Sequence, residues 1–173
     1  RVSDHFALSA ATQSHASIVF IYVLDDKAPG IRPLGGAARW WLAQSLRALQ
    51  ASLRERGASL VLRKGPAPTV IAALAREVGA DAVYWNEIAQ APHRAIEDRV
   101  AAALSEIGIV THRFPGDLLA SPNQIRNKEN RGLRVFTPFW RRVQALGDSP
   151  KPLPAPKTLK GVANVASDRL EDW

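Results

Sequence analysis

Residues 18–23 (Ile-Val-Phe-Ile-Tyr-Val) form an uninterrupted run of β-branched and aromatic side chains, and this run constrains the fold more than any other stretch. A strand that is apolar at every position suits a sheet covered on both faces, as in parallel sheets. Strands and helices are then predicted in alternation, with strands at 60–63, 81–85 and 109–114 and helices at 37–56, 69–78 and 92–107. This alternation predicts parallel strands joined by right-handed crossover helices.

The ends of the predicted helices are marked by characteristic residues. Gly57, Gly79 and Gly108 each follow a crossover helix, at the position where a left-handed backbone conformation favours glycine. Asp4 is the predicted N-cap of a helix over 5–14, and Thr137 is the predicted N-cap of a short helix over 138–146. The whole pattern predicts a Rossmann-like, doubly wound parallel sheet in a three-layer α/β/α arrangement.

Length, charge and composition narrow the class of protein. The 173 residues are enough for one domain with a sizeable core, which we place at 1–147; a Pro- and Lys-rich stretch at 148–173 is predicted to be an extended linker. Cysteine is absent, and the four histidines show no ligand spacing, so no metal site is expected. No run of 18 apolar residues occurs, which argues against a membrane span.

The net charge of +7 is concentrated in the last 53 residues, which carry ten basic and five acidic side chains. Such an excess favours a polyanionic partner such as DNA. Arginine outnumbers lysine 17 to 6, and an Arg-rich composition is the alternative explanation of the same excess.

The helix that begins after Gly35 and Gly36 has unusual residues in its first turns. The glycines allow close backbone approach at a helix N-terminus, where free N–H groups point outward. Arg39 is a cation at the positive end of the helix dipole, so it requires a partner. Trp40 and Trp41 lie about 100° apart on a helix, so one can face the sheet while the other faces a cleft or a second domain.

Three motifs together resemble a known family. Residues 35–42 (Gly-Gly-Ala-Ala-Arg-Trp-Trp-Leu), after a strand that ends in Val-Leu-Asp-Asp, are similar to the N-terminal α/β domain of the photolyase/cryptochrome family. Residues 1–8 look like the segment that follows the first strand of that domain, and residues 134–140 (Arg-Val-Phe-Thr-Pro-Phe-Trp) look like a stretch near its end. The resemblance covers essentially the whole chain.

The resemblance implies a light-harvesting antenna chromophore, either a folate (methenyltetrahydrofolate), a deazaflavin or a flavin. Ligands of open parallel sheets bind beyond the carboxyl ends of the strands, and Arg39, Asn86 and Glu87 are the polar residues best placed there. Pairing of Arg39 with Asp25 or Asp26 is the alternative. No GxGxxG or P-loop sequence occurs, and the Tyr and Glu of the family's Asn-x-x-Tyr-Glu-Pro segment are absent after Asn86.

The resemblance also implies the function of the whole protein. A deoxyribodipyrimidine photolyase binds damaged DNA, and its FAD and catalytic residues belong to a C-terminal helical domain that this chain lacks. We therefore expect no catalytic residue and no repair activity in these 173 residues alone, and a monomeric cytoplasmic protein without membrane contact. The alternatives are a cryptochrome-type photoreceptor, or a stand-alone nucleotide-binding domain of the universal-stress or electron-transfer-flavoprotein type.

The order of the elements predicts a gap in the sheet. A doubly wound domain of this family has a central first strand, and Arg1 matches only the last residue of the motif that ends it, so we expect that the chain begins downstream of the natural start. The strands at 18–24 and 81–86 would then flank the gap without pairing, about 9–10 Å apart, or twice the usual inter-strand spacing.

Overall fold

The computed structural model describes residues 1–14, 17–116, 118, 120, 124–148 and 151–173. Its strands are β1 (Phe20–Leu24), β2 (Leu60–Lys64), β3 (Ala82–Asn86) and β4 (Val110–Phe114). Its helices are α1 (Phe6–Ser14), α2 (Gly36–Arg54), α3 (Ala67–Glu77), α4 (Ala91–Ser105) and α5 (Phe136–Gln144), and a 3-10 turn follows at Leu170–Asp172. None of these helices is both long and apolar enough to cross a membrane.

The strands form two parallel pairs. β1 pairs with β2, so that Phe20 lies opposite Leu60, and β3 pairs with β4, so that Ala82 lies opposite Val110. Among the described residues no ladder joins β1 to β3, which confirms the prediction that these strands do not pair directly. A cleft of about 880 Å³ lies between them, and the predicted separation in ångströms stays a prediction.

Helices cover both faces of the strands, which confirms the three-layer arrangement. On one face, Leu8 of α1 and Leu46 and Leu53 of α2 pack with Leu60 and Leu62 of β2. The opposite core is formed by the apolar sides of α3 and α4 against the other face of the strands, with these buried members: Ala67, Ala72, Ala75, Val100, Leu104 and Ile109. The crossover helix α2 therefore lies on one face of the strands, with α1, and the crossover helices α3 and α4 lie together on the other.

The ends of the helices were predicted with mixed success. Gly57, Gly79 and Gly108 have φ angles of +89°, +62° and +74°, as expected for residues that follow a helix. The prediction of Asp4 as an N-cap is wrong, because Asp4 itself has a φ of +49° and exchanges hydrogen bonds with Leu153 instead. Thr137 is not an N-cap either, because α5 already begins at Phe136.

Residues 151–173, assigned above to a linker, contain no helix or strand except the 3-10 turn, and they pack against the α/β core. Leu159 and Leu170 are buried with α2 and β2, and the ring of Trp173 lies 5.9 Å from that of Tyr22. On the outer edge of β2, the Asp168 N–H donates to the Leu62 carbonyl and the Leu62 N–H donates to Ser167 Oγ, both at 2.9 Å. The boundary at residue 147 stays a prediction.

Trp40 and Trp41 differ from the expectation that one of them faces the sheet. Their side chains are 62% and 68% exposed, and their ring centroids lie 6.4 Å apart. The first turns of α2 extend beyond the core, and the buried stripe of this helix begins only at Leu46. Gly35 and Gly36 have ordinary φ angles, and a side chain at either position would meet no atom within 4 Å.

Candidate functional site

Loops at the carboxyl ends of β1 and β2 enclose a cavity of about 590 Å³, where a ligand of a parallel sheet is expected. The loop after β1 contributes residues 25–29, and the chain after β2 contributes residues 64–66 together with the start of α3. Arg99 of α4 completes the lining. The cavity is of a size that accepts a small organic molecule.

The two aspartates after β1 have different partners. Asp25 Oδ2 accepts a hydrogen bond of 2.9 Å from the N–H of Ala67, the first residue of α3, so Asp25 satisfies one of the free N–H groups of that helix. Asp26 is only 16% exposed and lies 3.7 Å from both Arg39 Nη2 and Lys64 Nζ. These three side chains form a charge cluster that carries one net positive charge, and we call it the Asp26 cluster.

Arg39 therefore pairs with Asp26, one of the two carboxylates considered as its alternative partner. Its Nε also donates to the Leu34 carbonyl at 3.1 Å, and its side chain remains 47% exposed. A guanidinium has five N–H donors, so these contacts leave it with donors that face solvent. The pairing explains why a cation is tolerated in the first turn of α2, and it leaves room for a ligand contact.

Asn86 has a structural contact that the sequence did not reveal. Its Oδ1 accepts a hydrogen bond of 2.9 Å from the N–H of Ala7, in the first turn of α1. Asn86 also lines the cleft between β1 and β3 rather than the cavity beyond β1 and β2. Its Nδ2 has no protein partner among the described residues.

Glu87 continues the β3–β4 ladder by one residue, because its N–H donates to the Phe114 carbonyl at 2.9 Å. A side chain at Gly116 would collide with the Glu87 carbonyl oxygen, so only glycine fits there. No described contact joins Glu87 or Asn86 to Arg39. The structure therefore does not show the three predicted residues gathered around one point, and their role in binding a ligand stays a prediction.

Other residues at the site were missed by the sequence analysis. Lys64 is the last residue of β2 and Arg99 lies in the middle of α4, so neither belongs to a motif; only the position of Lys64 at a strand end could have indicated it. Within the described ranges, no group of three or more His, Asp or Glu side chains is placed to hold a metal ion.

Comparison with known proteins identifies the family. The family model for DNA photolyase matches residues 1–157. The chain belongs to the DNA photolyase family. This membership removes the hypothesis of a stand-alone nucleotide-binding domain of the universal-stress or electron-transfer-flavoprotein type.

Individual relatives include both photolyases and cryptochromes. The chain is 36% identical over its whole length to a deoxyribodipyrimidine photo-lyase of Agrobacterium fabrum, of which it covers 36%. It is 30% identical to a cryptochrome DASH of Gloeobacter violaceus, with 92% of this chain and 33% of that protein aligned. The chain thus spans about a third of the length of these relatives.

Solved structures show the same fold. A bacterial class III photolyase from Agrobacterium tumefaciens matches all of this chain and 36% of its own length, with a TM-score of 0.91 and 34% identity. A cryptochrome from Synechocystis matches 99% of this chain and 38% of its own length, with a TM-score of 0.84 at 22% identity, which is a likeness of fold alone. The α/β arrangement predicted from the sequence is confirmed by these matches.

Proposed function

We propose that this chain is the antenna-binding N-terminal domain of a deoxyribodipyrimidine photolyase. The observation that carries the proposal is its similarity, over the full chain, to the Agrobacterium photo-lyase and to the class III photolyase structure. The whole protein would bind damaged DNA, and FAD in a C-terminal helical domain would supply the light-driven electron that splits a pyrimidine dimer. The dimer would be flipped out of the duplex to reach it.

A cryptochrome-type photoreceptor is the second candidate, because cryptochrome DASH proteins also match most of this chain. The two candidates differ in one measurement. A photolyase restores a dimer-containing oligonucleotide under blue light, and a photoreceptor does not. We propose a monomeric cytoplasmic protein in either case.

The contribution of this chain is to hold the antenna chromophore. An antenna bound here would absorb light and transfer the excitation to the flavin. The Arg39 guanidinium, a member of the Asp26 cluster, has unused N–H donors, and it suits a carbonyl or carboxylate oxygen of a folate, deazaflavin or flavin. The space beside Gly35 and Gly36 is open, and Trp40 on the next turn offers an exposed indole as an apolar wall.

Asn86 and Glu87 are proposed only as additional contacts of the antenna. The Asn86 Oδ1 is already used by α1, so only its Nδ2 remains to donate to a ligand.

An archaeal photolyase from Sulfolobus tokodaii, which shares the fold, was crystallised with two FAD molecules, and these imply a novel light-harvesting cofactor in that protein. A flavin antenna is therefore included with folate and deazaflavin among the chromophores to be tested.

Replacement of Arg39 by Ala in the full-length protein tests the antenna site. We expect antenna affinity to fall by about 1–3 kcal/mol, the range for a lost hydrogen bond that involves a charge. Repair by direct excitation of the flavin should survive. Arg47→Ala is the matched control, because Arg47 lies on the same helix, has a similar exposure of 48% and pairs with Glu171 instead.

The measurement is the absorption spectrum of each purified protein, titrated with the antenna chromophore where the band is incomplete. A near-ultraviolet or blue antenna band that keeps full strength in Arg39→Ala would remove Arg39 from the site. Repair of the oligonucleotide by the wild-type protein decides between photolyase and photoreceptor independently of the antenna.

A further inference from the structure

Helix α5 is amphipathic. Phe136, Phe139, Trp140 and Val143 follow the i, i+3, i+4, i+7 spacing, which places them in one stripe along the helix. Arg141 and Arg142 lie outside the stripe, about 150° and 110° from its centre line on a helix with 100° per residue. We call the four apolar residues the α5 stripe.

The α5 stripe is not covered by the part of the chain that the structure describes. No residue of α5 is buried, and Phe136 and Trp140 are 72% and 47% exposed. Their rings lie parallel, with centroids 6.3 Å apart, so they present one continuous aromatic surface. The stripe of α2, in contrast, buries Leu46 and Leu53 in the core. An apolar surface of this size is comparable to the largest patch on a typical monomeric protein, and such a patch often marks an interaction site.

We infer that the α5 stripe packs against a helix of the C-terminal flavin-binding domain of the same protein. This inference rests on the proposed function, which supplies that domain. The chain spans only 36% of the length of the Agrobacterium relative, so a much larger part of such a protein is available to cover the stripe. The spacing of the stripe is the spacing by which one helix packs on another.

Charge argues against nucleic acid as the occupant. DNA is bound through cations that contact phosphates, and the arginines of α5 lie outside the stripe, more than about 100° from its centre line. A duplex that contacted Arg141 and Arg142 would leave Phe136 and Trp140 exposed to water.

Area argues against a second copy of the chain. The three aromatic residues of the stripe expose roughly 300 Å² together, judged from the 150–250 Å² that a whole aromatic side chain buries. A stable dimer buries about 800 Å² on each partner. A contact between two domains of one chain needs no such area from a single helix, because the linkage raises the effective concentration of the two surfaces.

Footprinting of the full-length, flavin-containing protein tests the inference. Hydroxyl radicals modify exposed aromatic side chains, and mass spectrometry locates the modified residue. We expect Phe136 and Trp140 to be modified at least about tenfold more slowly in the folded protein than in the same protein unfolded in urea. The protection should be present without DNA and should not change with protein concentration.

Paired variants test the energetic role. Phe136→Ser/Trp140→Ser should let the flavin be released on heating at a lower temperature than in the wild type, because the domain contact is weakened. Arg141→Ser/Arg142→Ser is the matched control outside the α5 stripe, and it should release flavin at the wild-type temperature. Because no α5 residue is buried in the described domain, both variants should keep the wild-type circular dichroism.

Three results would overturn the inference. Rapid modification of Phe136 and Trp140 in the flavin-bound protein would show that the stripe faces water. Protection that appears only with DNA would make nucleic acid the occupant, and a dimer in light scattering that the Phe136→Ser/Trp140→Ser variant dissociates would make it a second copy. A purified full-length protein that binds no flavin would instead refute the proposed function, so the two failures are distinguishable.

Discussion

Replacement of Asn86 by Ala separates the two roles available to this residue, a cap of α1 and a ligand contact. Asn86 Oδ1 accepts from the Ala7 N–H at 2.9 Å, and the next N–H, that of Leu8, donates to His5 Nδ1 at 3.1 Å. The N–H groups of a first helical turn have no partner within the helix. Helix α1 has only nine residues, too few to be stable without such caps and tertiary packing.

The expected cost of Asn86→Ala is about 1 kcal/mol, within the range of 0.5–2 kcal/mol for the loss of a capping acceptor. Asn86→Asp keeps an acceptor atom at the same place and adds a negative charge at the positive end of the helix. That charge stabilises a helix by about 0.3–1 kcal/mol. The structure therefore predicts that the Asp variant is at least as stable in α1 as the wild type, whereas the Ala variant is less stable.

Hydrogen exchange of the segment 6–14, followed by mass spectrometry of the full-length protein, measures this effect locally. A loss of 1 kcal/mol corresponds to about fivefold faster exchange where α1 opens independently. Glu87→Ala is the neighbouring control, because within the described residues the Glu87 side chain makes no hydrogen bond or ion pair with α1. Unchanged exchange in Asn86→Ala, or equal acceleration in the Asp and Ala variants, would refute the capping role.

Further predictions concern stability and activity. Leu104→Ala should cost about 2–5 kcal/mol in urea unfolding, because Leu104 of α4 is fully buried in the core that α3 and α4 form. Burial raises the pKa of Tyr22 above its ordinary value of about 10. The stability that depends on the neutral form of Tyr22 is therefore complete below about pH 10, and it is lost as the pH rises through the folded-state pKa. Tyr22→Phe should remove this alkaline loss of stability in unfolding curves measured from about pH 9 to 11. The purified 173-residue chain should neither bind FAD tightly nor repair a thymine dimer under blue light.

The strands and the glycines that follow the helices could be predicted because local sequence decides them. The apolar run at 18–23 favours a strand because it is short and rich in β-branched and aromatic residues, and it contains most of β1. Gly57 has a φ of +89°, a conformation that is strained for other residues, so a glycine in the sequence indicates this helix end. Both features depend on a few adjacent residues. The alternation of these strands with helices then determines the layers of the fold.

The side chain that caps α1 and the packing of the C-terminal segment 151–173 could not be predicted, because in both cases the partners are remote in the sequence. Asn86 caps a helix 79 residues earlier, and no local signal relates the two positions. The prolines at 152, 154 and 156 correctly indicate a segment without regular structure. They carry no information about packing, which depends on Leu159 and Leu170 meeting the apolar side of α2 and β2.

The same remote contacts decide which polar side chains at the carboxyl edge remain available to a ligand. In a doubly wound fold the carboxyl ends of the strands and the N-termini of the crossover helices meet at one edge, so strand-end acceptors satisfy helix N–H groups first. Asp25 is used in this way by α3. The Oδ1 of Asn86 is used by α1, whereas its Nδ2 and the two cations that share the carboxylate of Asp26, Arg39 and Lys64, still have donors for a ligand. We therefore expect a ligand at this edge to be selected for its acceptor oxygens, and the Arg39→Ala spectrum is a sharper test of the antenna than any change at Asn86.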